Sequence, residues 1–282
     1  MRATLLLVTG VVLAAPLAGQ ATYPPPSTDG VPFFLRRDVS PEEALRAYTE
    51  KPYRPIRPSE ARSAGFLTEG RELAFGTALG PTAPPQVKAY GSTAVTQVGS
   101  LFAVRPPEGG SYRPGDTLIV ATRRAGPKGW GEIVQPTGVV VVREVTPRQV
   151  VTEVAMIFGP MRDGQAVLPA GPVTDPGEVT PVPTDAGPTG TVLGAVEMRE
   201  LILPAGHMFI DLGADDGIRH GDFVEVRRPV ARRVNAADTV EEPMAQGQVV
   251  HVNGASSTIK LFNVQSPDVP PGTPVVRVAT LP

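Results

Sequence analysis

Cysteine is absent from all 282 residues. That removes disulfides, a lipid-bearing N-terminal cysteine, cysteine nucleophiles and thiolate metal sites in one step, and leaves stability to ordinary apolar cores. Charge of one sign is also lacking: 26 Lys and Arg stand against 28 Asp and Glu, a net charge of −2 that offers no broad footprint for nucleic acid. Histidine is scarce, with single copies at 207, 220 and 251, and there is no G-x-S-x-G elbow, H-E-x-x-H pair or P-loop. The sequence therefore assigns no catalytic residue, no cofactor and no metal site, and an enzyme is not expected, a hydrolase with an unrecognised site being only a remote alternative. Beyond position 21 no apolar run approaches the roughly 20 residues of a membrane-crossing helix, because Asp, Glu, Lys or Arg interrupts each one.

What the chain has in quantity is punctuation, with 33 prolines and 30 glycines, more than long helices tolerate. It opens "MRATLLLVTGVVLAAPLAGQA", in which Arg2 precedes an apolar run from Leu5 to Ala15, and Gly19 and Ala21 suit the small positions of a cleavage site. This predicts a signal peptide over 1–21 and export to the periplasm or surface of a bacterium, with no transmembrane segment in the mature chain. Residues 22–64 are Pro-rich and read as extended. Within them Ser40, Pro41 and Glu43 supply a cap, a first-turn proline and a capping box for a short helix over about 41–50. A second helical turn is expected between Ser59 and Gly65.

From 170 to 190 the sequence "AGPVTDPGEVTPVPTDAGPTG" has neither Lys, Arg nor an aromatic residue and reads as a linker that cannot form a core of its own. It separates a block at 65–169 from one at 191–282. The two blocks are similar in order and spacing: "SYRPGDTLIV" (111–120) answers "GIRHGDFVEV" (217–226), and the step from Gly115 to Gly164 nearly equals that from Gly221 to Gly272. Each block gives short alternating strands broken by Gly, Pro, Asn or Asp, the pattern of a small barrel or sandwich. Leu118 and Val120 in one, and Val224 and Val226 in the other, mark the core faces; Ile259 and Leu261 alternate with Thr258, Lys260 and Phe262. With no helix long enough for a crossover, the sheets should be antiparallel.

Residues 212–226, "LGADDGIRHGDFVEV", place four acids, a histidine and three glycines close together. A calcium loop beginning at Asp211 fails, because Gly213 and Asp216 occupy positions that need an oxygen ligand and a glycine, and Asp222 is shorter than the bidentate Glu required. Zinc held by His207, Asp211 and His220 would need a convergence that the spacing does not give. The stretch reads instead as sheet corners. Gly115, Asp116, Asp216, Gly217, Gly221 and Asp222 are expected to be turn residues, the glycines taking positive φ and the aspartates, with Asp211, accepting from backbone amides; Gly213 is expected to relieve a similar backbone demand.

The run "FIDLGADDGIRHGDFVEVRRP" with "MAQGQVVHVNGASSTIKLFNVQSPDVPPGTPV" resembles the C-terminal domain of flagellar assembly protein T and the paired β-modules that follow LysM domains in bacterial envelope proteins. More distantly it is similar to the β-domains of MreC-type rod-shape scaffolds. The resemblance implies Src-homology-type barrels and envelope scaffolding, and carries over no catalytic residue. The expected architecture is therefore all-β: two small Src-homology-type β-barrels in tandem, preceded by a signal peptide and a Pro-rich segment with one or two short helices. The expected role is an adaptor or structural component of an envelope or surface assembly, with an envelope protein or a second copy as partner. Two features keep peptidoglycan as the alternative ligand. "SYRPGDTLIVATR" (111–123) looks like the start of a LysM motif, although the residues after it do not continue as a helix, and Trp130 could stack on a sugar or cover a barrel core. The basic clusters Arg36-Arg37, Arg123-Arg124 and "RRPVARR" (227–233) suit either anionic envelope polymers or solvated loops.

Overall fold

The computed structural model describes residues 56–82, 96–147, 149–173, 179–184, 187–196, 202–230 and 242–282. The leader expected at 1–21, the segment expected to be extended as far as residue 55 and the helix expected over 41–50 lie outside the described residues.

The described chain is mostly β. One helix, α1 (Pro58–Ser63), lies near the second turn expected from Ser59, with Pro58 opening it and the Glu60 carboxylate accepting the Arg57 amide at 3.2 Å. The strands that follow are β1 (Phe66–Leu67), β2 (Gly76–Pro81), β3 (Leu101–Arg105), β4 (Thr117–Ala125), β5 (Glu132–Val145), β6 (Val150–Ile157) and β7 (Ala166–Pro169). A second group comprises β8 (Val182–Pro183), β9 (Thr189–Ala195), β10 (His207–Ile210), β11 (Phe223–Arg227), β12 (Pro243–Val252), β13 (Ser257–Val264) and β14 (Pro274–Thr280). Every pairing between them is antiparallel.

The first group forms a sheet of order β1-β5-β4-β7-β2-β3-β6, and an added β5–β6 pairing closes its six longer strands into a barrel. The second runs β11-β12-β13-β10-β9-β14-β8, with β11 also bonded to β14. Taken in chain order, β9 to β14 have the same neighbours as β2 to β7. The hydrogen bonds at the corners agree: Gly115 donates to Val142 and Gly221 to Val249, both at 2.8 Å, while Gly164 donates to Ala78 and Gly272 to Val192.

Each sheet has its own core. Leu118, Val120, Phe102 and Val140 lie inside the first, and Val224, Val226, Ile259 and Leu261 inside the second. The alternation ends where the two sheets meet. On β4 the outward Ile119 and Ala121 are buried as well, and on β13 Thr258 is 1% exposed and Phe262 packs against another buried cluster. Faces that alternation leaves to solvent are covered here by another part of the chain.

The described residues between 56 and 282 belong to one compact unit, and the described parts of 170–190 are not a free tether. Ala170 donates to Thr117, Val182 and Pro183 pair with β14, and Thr189 and Gly190 belong to β9. Val173 and Val179 pack against a core cluster made of α1 and the second sheet. Residues 56–64 likewise depart from the extended reading, because Ile56, Ala61 and Ala64 complete that same cluster. Isolated, these segments carry too few apolar groups for a core, but a neighbouring sheet face supplies the remainder.

Candidate functional site

The most heavily built feature outside the two cores is the joint between the sheets, made by residues 56–71. β1 adds to β5 through Phe66–Val134 and Leu67–Ile133, so the segment belongs to the first sheet. Its other side grips the β12–β13 hairpin. Asn253 Nδ2 donates to the Leu67 carbonyl and Thr258 Oγ1 to the Gly65 carbonyl, both at 2.6 Å. Glu69, held at φ 55, accepts from the Ala255 amide at 2.9 Å and the Ser256 hydroxyl at 2.8 Å, and pairs with Arg71. Lys260 reaches Glu60 at 2.8 Å, and the Phe66 ring stacks on His251 with centroids 4.7 Å apart. These partners stand 186 to 200 positions apart for the polar pairs, and no spacing pattern in the sequence announces them.

Electrostatics in the joint follow from burial. Desolvation pushes the Glu69 carboxyl up, but hydrogen bonds from Ser256, Ala255 and Arg71 outweigh it and hold the group below its usual range. Glu60 behaves alike, burial being outweighed by Lys260 and the Arg57 amide. Burial lowers His251 to about 4, with Asn253 opposing the shift, and it also lowers His220, whose ring is bonded to the Val250 backbone. Both rings are therefore neutral at neutral pH. They line a cleft of about 370 Å³ with Arg62, Val250 and the 171–173 segment.

The corner residues are placed as follows. Gly115, Gly221 and Gly217 have φ of 93, 96 and 77. Asp116 accepts the Arg113 amide at 2.7 Å, Asp216 the Gly213 amide at 2.9 Å and Asp222 the Arg219 amide at 3.0 Å. Asp222, fully buried, also takes the Thr280 hydroxyl at 2.7 Å, while Asp211 holds the Thr191 amide and hydroxyl on β9. Gly213 departs from its expected reason. Its φ is −130, which any residue adopts; a side chain there would instead run into the Gly254 carbonyl. Among the described residues no group of three or more His, Asp or Glu is placed to hold a metal ion.

Trp130 packs beside Leu67, Ile133, Val196 and Phe209, within a cluster drawn from both sheets, and so sits in the joint rather than at the end of one barrel. The LysM-like stretch becomes β4 and turns directly into β5, without the helix that motif requires. The described side chains of the basic clusters named above are engaged within the chain. Arg123 pairs with Glu132, Arg124 reaches the Val196 carbonyl, Arg227 pairs with Glu225 and Arg228 with Glu242. Arg36-Arg37 and 231–233 lie outside the described residues. Compared with protein-family models and with curated proteins, the chain matches none.

Proposed function

We propose that the chain is an exported, non-enzymatic adaptor or structural component of a bacterial envelope or surface assembly, acting through two small barrels in tandem. The observation that carries this reading is the repetition of β2–β7 by β9–β14, with β11–β14 as the pairing that completes the second ring. Two copies of one binding-module topology, locked by the 56–71 joint, present two surfaces in a fixed relation, which is what a bridging component needs. The acidic corner residues support a structural role, because their oxygens are committed to backbone amides and hydroxyls. The apolar leader at 1–21 supports export, and the likeness to envelope β-modules supports the compartment.

Photo-crosslinking of the full chain in a bacterial host, with fractionation and mass spectrometry, tests the proposal. The expected result is a leader removed after Ala21 and reproducible crosslinks to an envelope protein or a second copy. An uncleaved chain retained in the cytoplasm would sink it. Sedimentation with purified peptidoglycan separates the alternative: saturable co-sedimentation of the purified chain with no other protein present would favour the glycan reading.

A further inference from the structure

The arm formed by β4 and β5 is asymmetric. β7 follows β4 only as far as the Ala121–Ala166 pair, whereas β4 continues to Ala125 against β5 alone. Beyond Ala121 one edge of the arm, on Ile133 and Val134 of β5, is occupied by β1. The opposite edge, on β4, carries nothing among the described residues.

Which groups face that edge follows from the ladder. Gly126 donates to the Gly131 carbonyl at 2.9 Å, and both backbone groups of Glu132 are taken by Thr68, the carbonyl by its amide and the amide by its hydroxyl. The Ala125–Glu132 pair is therefore a non-hydrogen-bonded one, and alternation makes Arg123–Val134 another. The N–H and C=O of Arg123 and Ala125 point away from β5. On the same side of the strand, nearer the barrel, the Thr117 carbonyl meets β7 through Ala170. Arg123 and Ala125 are exposed, and no hydrogen bond among the described residues reaches their backbone groups.

The flanks of this edge define the occupant. Two clefts of about 490 and 550 Å³ meet at Phe75 and Arg123. The Arg123 guanidinium lies 4.3 Å over the Phe75 ring and is bound to Glu132 at 2.6 Å. Its charge is matched internally, so an acidic segment gains little here and a basic one gains nothing. Leu73 and Phe75 offer apolar contact at the same place.

We propose that the β4 edge at Arg123 and Ala125 is a docking edge for an extended, uncharged segment of a partner protein, which adds to the arm as a further strand with apolar side chains at alternate positions. The proposal rests on the adaptor reading only for the existence of a partner. A free edge this short exposes four backbone groups, enough to fix the register of a peptide but too few to invite sheet growth by itself.

The test uses the full chain, isotopically labelled, with the blocked, uncharged peptide acetyl-Gln-Thr-Val-Thr-Val-Thr-Gln-amide as probe. Expected are saturable shifts and hydrogen-exchange protection at the Arg123 and Ala125 amides, with the Thr122 and Arg124 amides, already turned toward β5, little changed. Ala125→Pro removes an edge donor without breaking the β5 ladder and should weaken binding at least about tenfold, while Ala125→Val should retain it. Methylating alternate amides of the probe should cause the same loss with the unaltered protein, so the result does not depend on the proline variant folding. Shifts confined to other surfaces would overturn the proposal. So would edge amides already protected in the dilute, peptide-free chain, which would mean that the chain covers its own edge, or protection that rises with protein concentration, which would mean a second copy. A cytoplasmic chain without envelope crosslinks would refute the adaptor reading while leaving the edge result intact.

Discussion

Replacing Gly115 or Gly221 with valine tests the repeat and the joint together. Both glycines precede the strand that carries the core pairs Leu118 and Val120 or Val224 and Val226, and their φ values of 93 and 96 fall where a branched side chain is strained. A Cβ added at Gly115 meets nothing within 4 Å, so the cost there is conformational rather than a clash. A strained residue of this kind costs about 1–3 kcal/mol. For a unit of this size each kcal/mol lowers the melting temperature by about 2–4 °C, so either variant should fall by roughly 2–12 °C. Were residues 170–190 a flexible tether, each substitution would melt its own sheet and spare the other. The joint opposes that, because Asn253, Thr258, Glu69 and Lys260 bind the sheets directly and Leu67, Ile133, Val196 and Phe209 share one apolar cluster.

The expected calorimetric trace is accordingly a single transition, displaced by a similar amount in both variants. Hydrogen exchange at amides of β4 and β11 should rise in parallel whichever glycine is changed. Two resolved transitions, with only the substituted sheet moved, would refute the coupling. Unchanged melting in both variants would refute the equivalence of the corners.

Acid should loosen the joint in two stages. His251, lowered to about 4 from an ordinary value of 6.5, contributes stability that is complete above about pH 6.5 and is lost as pH falls toward about 4. Glu60 and Glu69, held below the usual carboxylate value, contribute stability above about pH 4.5 that disappears as pH drops through their lowered values. Urea midpoints should therefore decline already between about pH 7 and pH 5, and His251→Gln should flatten that interval; a flat parent profile there contradicts the burial argument. Trp130→Ala should cost about 1–3 kcal/mol in urea unfolding through lost packing and leave any peptidoglycan sedimentation unchanged; the opposite pattern would move Trp130 from the joint to a sugar site. Ala205 has φ 67 at the place where the first sheet uses Gly99 at φ 84, each donating its amide to β13 or β6, at Leu261 and Val154. Ala205→Gly should stabilise the chain by about 0.5–1 kcal/mol in thermal unfolding, and a loss would mean that the strain has been misjudged.

The repeat was readable because its markers are local. A Gly-Asp corner needs positive φ at one residue and an amide acceptor at the next, and both requirements are written at 115–116 and 221–222 whatever surrounds them. Gly213 shows the limit of that logic, since a glycine can be required by φ or by a neighbouring backbone, and only the fold brings Gly254 against it. The joint was not readable for the same reason. Glu69, Asn253 and Thr258 are ordinary surface-type residues until a hairpin 186 or more positions away arrives at them. One trace of it was present in "TLIVA" at 117–121, where apolar residues occupy both faces of a strand that alternation would leave half polar. The linker reading erred by asking whether 170–190 could bury its own side chains. Folding asks only whether a waiting surface can bury them, and Val173 and Val179 find one on the cluster that α1 forms with the second sheet. Composition thus predicts which segments cannot fold alone, and complementary faces elsewhere in the chain decide whether they remain free.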